Sequence, residues 1–257
     1  MTEPSLLPKL REDWQRVLCV AAHPDDLEYG AASAVARWTA QGKQVTYLIV
    51  TRGEAGMDKM DPREAATVRE EEEWQAAREV GVDVVEFLDH RDGVVAYGLP
   101  LRRDIARVVR RHRPEVVITS TFEVVASGFV NQADHRAVGL ATLDGARDAG
   151  NRWVFPELGE EGLEPWSGVR YVCFGGASAP NCGVDVTDYL ERGIASLRAH
   201  RAYFDGLGDG TSDPAQIVTW IASAGGARMG VAAAALFEAY SLDPGGPPWV
   251  VPDSPPG

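Results

Sequence analysis

The sequence predicts a Rossmann-like α/β fold: a mostly parallel sheet with helices on both faces and a helical C-terminal part. Two observations carry this reading. Short apolar, β-branched runs recur along the chain with amphipathic helical patterns between them, and strands so spaced form a parallel sheet covered on both faces. The first run also stops abruptly at a polar cluster, His23-Pro24-Asp25-Asp26, before a helical pattern begins.

The strand candidates are 16–22 (RVLCVAA), 44–51 (QVTYLIVT), 84–88 (VVEFL), 115–120 (EVVITS) and 169–174 (VRYVCF). Helical patterns occupy 27–41, 63–80, 101–112 and 135–149 between them. Beyond the last strand candidate, 187–205 and 214–240 read mainly as helix, separated by a Gly/Asp/Ser break at 206–213. The residues after Leu242 (DPGGPPWVVPDSPPG) are rich in Pro and Gly, which suits an irregular arm over 243–257. No internal repeat is present, and 1–257 reads as a single domain.

Composition narrows the function classes. Apolar content of 45% with 25% charged residues is ordinary for a soluble globular chain of 257 residues. A net charge of −13 argues against nucleic acid or an anionic membrane as partner. No run of about 18 apolar residues is present, so no membrane span is expected, and the first residues lack the apolar segment of a secretory signal. Cys19, Cys173 and Cys182 have no metal-ligand spacing and read as reduced thiols, which fits a cytoplasmic protein. Homo-oligomerisation is left open.

The polar cluster after the first strand is the informative feature. In an open α/β sheet, ligands bind beyond the carboxyl ends of the strands. One carboxylate there is accounted for by capping the following helix, but two adjacent acids and a histidine exceed what a cap needs. His23 and Asp26, three residues apart around a turn, can converge on one cation with N and O donors suited to zinc. Asp25 is then free to take a proton from an attacking water. A third ligand has to come from elsewhere among His90, His112, His135 and His200. His135 is the best of them, because it opens a helix just beyond the fourth strand, at the same sheet edge.

The stretch His23-Pro24-Asp25-Asp26-Leu27-Glu28 resembles the AHPDDxE signature of the PIG-L/LmbE-like N-acetylglucosamine deacetylases. The similarity continues through TRGEAG (51–56), REEE (69–72), RDG (91–93), ADHRAVG (133–139) and SLRAHRAYF (196–204), and so spans most of 16–240. The resemblance implies one zinc ion held by His23, Asp26 and His135, with Asp25 as general base. It also implies that Arg69 and Asp92 contact the sugar-like part of substrate, as matching positions do in mycothiol-pathway relatives. Asp134 matches an acid that supports the ligands, and Glu54 lies in the matching loop after the second strand. Gln132 and Val130 depart from the family pattern, which often has His and in some relatives Tyr at these positions. A carboxamide can donate a hydrogen bond to an oxyanion but cannot titrate.

The activity implied is zinc-dependent removal of an acetyl group from an N-acetylglucosaminyl-type small molecule. Two other readings fit the same residues: a thiol-conjugate amidase on the same scaffold, and a catalytically weak sugar-binding protein that keeps the zinc. The loops 54–62, 91–100 and 121–131 are candidates for specificity but carry no readable code.

Overall fold

The computed structural model describes residues 5–126, 128–207, 213–243 and 246–249. The first half runs β1 (Arg16–Ala21), α1 (Ala32–Ala40), β2 (Gln44–Ile49), α2 (Pro62–Glu79), β3 (Val84–Phe87), α3 (Leu99–His112) and β4 (Val116–Ser120). A short antiparallel pair, β5 (Val125–Ala126) and β6 (Phe129–Val130), leads into α4 (Ala133–Asp148) and a single turn, α5 (Glu157–Glu160). The chain finishes with β7 (Tyr171–Gly175), β8 (Cys182–Asp185), α6 (Leu190–Arg198), α7 (Arg201–Leu207), α8 (Pro214–Met229) and β9 (Ala234–Ser241).

Seven strands form one sheet in the order β3-β2-β1-β4-β7-β9-β8. The pairs from β3 to β7 are parallel, and β9 runs antiparallel to both β7 and β8. Successive side chains of β1 point to opposite faces, and both faces are buried. Val17, Cys19 and Ala21 join a core with Trp38, Tyr47, Ala77 and Phe237, while Leu18 and Val20 join a second core with Ile105, Val117 and Ala141. This is why the first strand reads as a continuous apolar run. The chain leaves β1 toward β2 and β3, then returns to lay β4 on the other side. The C-terminal ends of β1 and β4 therefore flank the point where strand order reverses, the position at which open α/β sheets bind ligands.

Three expectations change. The helix expected over 27–41 begins at Ala32, because 23–31 forms hydrogen-bonded turns, with the Glu28 N–H donating to the Asp25 carbonyl at 3.1 Å. The helical reading of 187–205 breaks between α6 and α7, at His200. The helical reading of 214–240 holds only to Met229. Gly230, at φ 72°, closes α8, and the alanine-rich stretch that follows is strand β9 between β7 and β8. Alanine favours helix, but Ala235, Phe237 and Ala239 alternate onto one core, and pairing on both edges overrides propensity.

Most of the expected break at 206–213 lies outside the described residues, as does most of the arm at 243–257. The described part of that arm is fastened to the fold. Leu10 bridges Trp249, the Arg11 N–H donates to the Pro248 carbonyl at 2.9 Å, and Trp249 packs on the core. Among the described residues, no helix is long and apolar enough to cross a membrane. Cys19, Cys173 and Cys182 are buried free thiols.

Candidate active site

The loop after β1 folds around its own carboxylate. Asp26 Oδ2 accepts the backbone N–H groups of Ala22 (3.0 Å) and His23 (2.9 Å), so this acid closes the loop and does not cap α1. The same carboxylate faces both histidines, with Oδ1 3.0 Å from His135 Nε2 and Oδ2 3.5 Å from His23 Nδ1. One ligand atom from each of His23, Asp26 and His135 lies within 4.8 Å of the other two. The β1 and β4 ends thus bring together the three residues singled out as metal ligands, across more than a hundred positions of chain.

The remaining nitrogen of each imidazole is already committed. His23 Nε2 lies 3.0 Å from Asp92 Oδ1 and 3.4 Å from Asp134 Oδ2, which fixes its proton there and leaves the Nδ1 lone pair facing Asp26. His135 Nδ1 donates to Asn131 Oδ1 at 3.0 Å, leaving the Nε2 lone pair on the same side. His135 Nε2 is buried and has no hydrogen-bond partner among the described residues, although a carboxylate oxygen stands beside it. A divalent ion suits that arrangement: two imidazole lone pairs and a carboxylate converge, each held by a further partner.

Charge balance agrees. Burial works against the charged form of Asp26, but His135 and His23 outweigh it and hold the carboxyl well below its usual range. Burial likewise disfavours a charged His23, yet Asp26, Asp134 and Asp92 push its pKa up to about 12. His135 is raised in the same way, Asp26 overcoming the effect of burial.

Asp25 is held by a different partner. Its carboxylate accepts from Arg69 Nη2 at 3.0 Å, and burial pushes its pKa up to about 7, against the pull of Arg69 and with a push from Asp26. Arg69 itself is 2% exposed. It donates to the Gly53 carbonyl at 2.9 Å and to the Pro24 carbonyl, and its guanidinium lies 4.2 Å over the Tyr203 ring. Glycine is needed on that side, because a Cβ at Gly53 or Gly56 would run into Arg69 Nη1.

Glu54 and Asp92 lock two loops at the same sheet edge. The Asp92 N–H donates to Glu54 Oε1 (3.0 Å) and the Ala55 N–H to Asp92 Oδ2 (2.8 Å). Asp134 accepts the N–H groups of Gly93 (2.7 Å) and Val95 (3.1 Å) while facing His23. Gln132 stands apart: it is the exposed N-cap residue of α4, and its side chain makes no capping bond.

Asn131 and Tyr203 escaped the sequence reading. Asn131 also donates to the carbonyls of Thr121 (2.8 Å) and Glu123 (3.0 Å), so it ties the loop after β4 to His135. Its signal was an amide four residues before a candidate ligand. Tyr203 lies within SLRAHRAYF, but nothing local pairs it with Arg69.

The site's two halves, the loop after β1 and the start of α4, both fall inside residues 18–146, which match the GlcNAc-PI de-N-acetylase family, PIG-L. The chain belongs to this family. It is 30% identical over 198 residues to a diacetylchitobiose deacetylase of Thermococcus kodakarensis, covering 75% of this chain and 71% of that one. It is 26% identical over 204 residues to a probable N-acetyl-α-D-glucosaminyl L-malate deacetylase of Bacillus anthracis, covering 74% and 82%. The fold matches an N,N'-diacetylchitobiose deacetylase structure from Pyrococcus horikoshii with a TM-score of 0.80 at 24% identity, over 89% of this chain and 85% of that one.

Proposed function

We propose that this family member is a zinc-dependent amide hydrolase that removes the acetyl group from an N-acetylglucosaminyl-type small molecule. The observation that carries this is the convergence of His23 Nδ1, Asp26 and His135 Nε2 beside a buried Asp25 at the sheet's switch point. Two relatives named as deacetylases, of diacetylchitobiose and of N-acetyl-α-D-glucosaminyl L-malate, support the substrate class.

His23, Asp26 and His135 are the residues that would hold the ion. When bound, zinc supplies a Lewis acid that polarises the acetyl carbonyl and acidifies water. Asp25 takes the proton of the attacking water on its carboxylate as the new C–O bond forms. With a pKa pushed toward neutrality, the same group can return that proton to the leaving nitrogen as the C–N bond breaks, giving acetate and the free amine. This covers the proton-donor role for which a carboxamide at 132 is unsuited. Arg69 fixes the Asp25 carboxylate from beneath, Asp92 and Asp134 hold the His23 ring, and Asn131 holds that of His135.

The test is release of acetate and amine over a panel of N-acetylated amino sugars and acylated thiol conjugates. Acetate with a stoichiometric amine from the sugars is the expected result. Release of a larger acyl group from the conjugates would make the protein an amidase. Thermal stabilisation by sugars without turnover would make it a binding protein.

A further inference from the structure

Behind Asp25 lies a group of buried polar side chains that the proposed chemistry does not use. Glu28, Glu73 and His200 are fully enclosed. His200 Nε2 is 3.8 Å from Glu73 Oε2 and 4.0 Å from Glu28 Oε2, too far to hydrogen-bond. Both His200 nitrogens, Glu28 Oε2 and Glu73 Oε1 have no hydrogen-bond partner among the described residues. Burying such groups costs free energy that apolar side chains of similar volume would not. The compensation has to be sought in the bonds that are made. Ser196 Oγ donates to Glu28 Oε1 at 3.1 Å, and Glu73 Oε2 accepts the backbone N–H of Asp25 at 3.1 Å.

That N–H belongs to a residue with unusual backbone. Asp25 sits at φ 93°, a region that a non-glycine residue keeps only where surrounding bonds impose it. Arg69 and Glu73 are four residues apart on α2 and so share one face. From that face the helix grips Asp25 twice, guanidinium on carboxylate and carboxyl on amide. Burial, and then Glu28, push the Glu73 carboxyl well above its usual range, but a neutral carboxyl still accepts through its carbonyl oxygen. His200, lowered by burial to about 3, is a neutral filler behind both acids.

We propose that Glu73 is a positioning residue: its bond to the Asp25 amide, backed by His200 and Glu28, holds Asp25 in the left-handed conformation and aims its carboxylate at the His23, Asp26 and His135 centre. This rests on the reading of Asp25 as base, and Glu73 itself touches no reacting atom.

Glu73→Leu keeps the volume and loses the acceptor, whereas Glu73→Gln keeps a carbonyl oxygen. In the zinc-loaded full chain, Glu73→Leu is expected to lower kcat by about 10–100-fold with KM within about twofold of the parent and metal content unchanged. Glu73→Gln should recover kcat to within about threefold of the parent. A folded Glu73→Leu with parental kcat, or equal losses in both variants, would overturn the proposal. Asp25→Asn, assayed alongside, separates the two levels. If it turns over at the parental rate, the base reading fails; if it alone is slow, only the positioning role fails. Hydrogen exchange at the Asp25 amide of the parent needs no folded variant. Slow exchange is expected, and exchange at the rate of an open loop amide would remove the bond on which the inference stands.

Discussion

Replacing Gly56 with alanine probes the seat of Arg69 without backbone strain, since Gly56 is not in the left-handed region. The new Cβ would stand 2.5 Å from Arg69 Nη1 and 3.3 Å from the Gly53 carbonyl oxygen. To regain ordinary contact the guanidinium has to retreat by about 1 Å. It has no free path, because Tyr203 lies 4.2 Å beneath it and Asp25 Oδ1 is bonded at 3.0 Å. A buried charged hydrogen bond lost in this way costs about 1.5–3 kcal/mol. At this chain length that lowers Tm by roughly 3–12 °C. A base shifted by a comparable distance should lose about 10–100-fold in kcat. KM should stay near the parent value, because Arg69 is enclosed against Tyr203 and bonds Asp25. The expectation drawn from relatives, that Arg69 contacts substrate, gives the opposite pattern, a raised KM with kcat preserved. Gly53→Ala adds the penalty of its φ of +63°, about 1 kcal/mol further. The assay is steady-state acetate release with metal content and melting measured on each variant. A Gly56→Ala protein with parental kcat and Tm would refute the description of the Arg69 seat.

The other expectations concern the base and the ion. Asp25→Asn should keep its metal and slow turnover by roughly 10²–10⁴-fold. In the parent, kcat/KM should rise with pH as Asp25 loses its proton, with an apparent pKa at or below about 7, because a nearby cation pulls it down from the metal-free position. An acid limb that survives unchanged in Asp25→Asn would assign it to another group. Asn131→Ala frees the His135 ring and should weaken zinc binding about 10–100-fold, read by competition with a chelator, with parental affinity counting against the role given to Asn131. His23, raised to about 12, carries an additional proton in the metal-free protein at neutral pH, and Asp26 shifts His135 in the same direction. Zinc uptake should therefore release protons and tighten as pH rises, seen as buffer-dependent heats of binding. Heats independent of buffer would contradict the ligand assignment.

The parallel part of the sheet was legible because β1, β2 and β4 are buried along almost their whole length and helices separate successive parallel strands. The opening motif was legible because adjacent acids and a histidine at a strand end have few structural uses. What was hidden depends on contacts distant in sequence. The stretch forming β9 is rich in alanine, so local propensity pointed to helix, and only its place between β7 and β8 decides otherwise. Tyr203 carries no local sign of its partner, and Asn131 only its spacing of four residues from His135. Arg69 was visible as a motif residue, yet whether it meets sugar or base depends on how α2 lies against the β1 loop. Gln132 was conspicuous as a departure from pattern, and its exposed side chain explains why the site closes without it.

The central claim is that His23, Asp26 and His135 hold a zinc ion required for N-deacetylation. Its most direct test is acetate release from N-acetylglucosaminyl substrates by protein stripped with a chelator and then titrated with zinc. Activity should vanish on stripping and return in proportion to zinc, saturating at about one ion per chain, and neither His23→Ala nor His135→Ala should recover it. Stripped protein that still releases acetate at the parental rate, or a His135→Ala variant that recovers fully with one ion, would contradict the account.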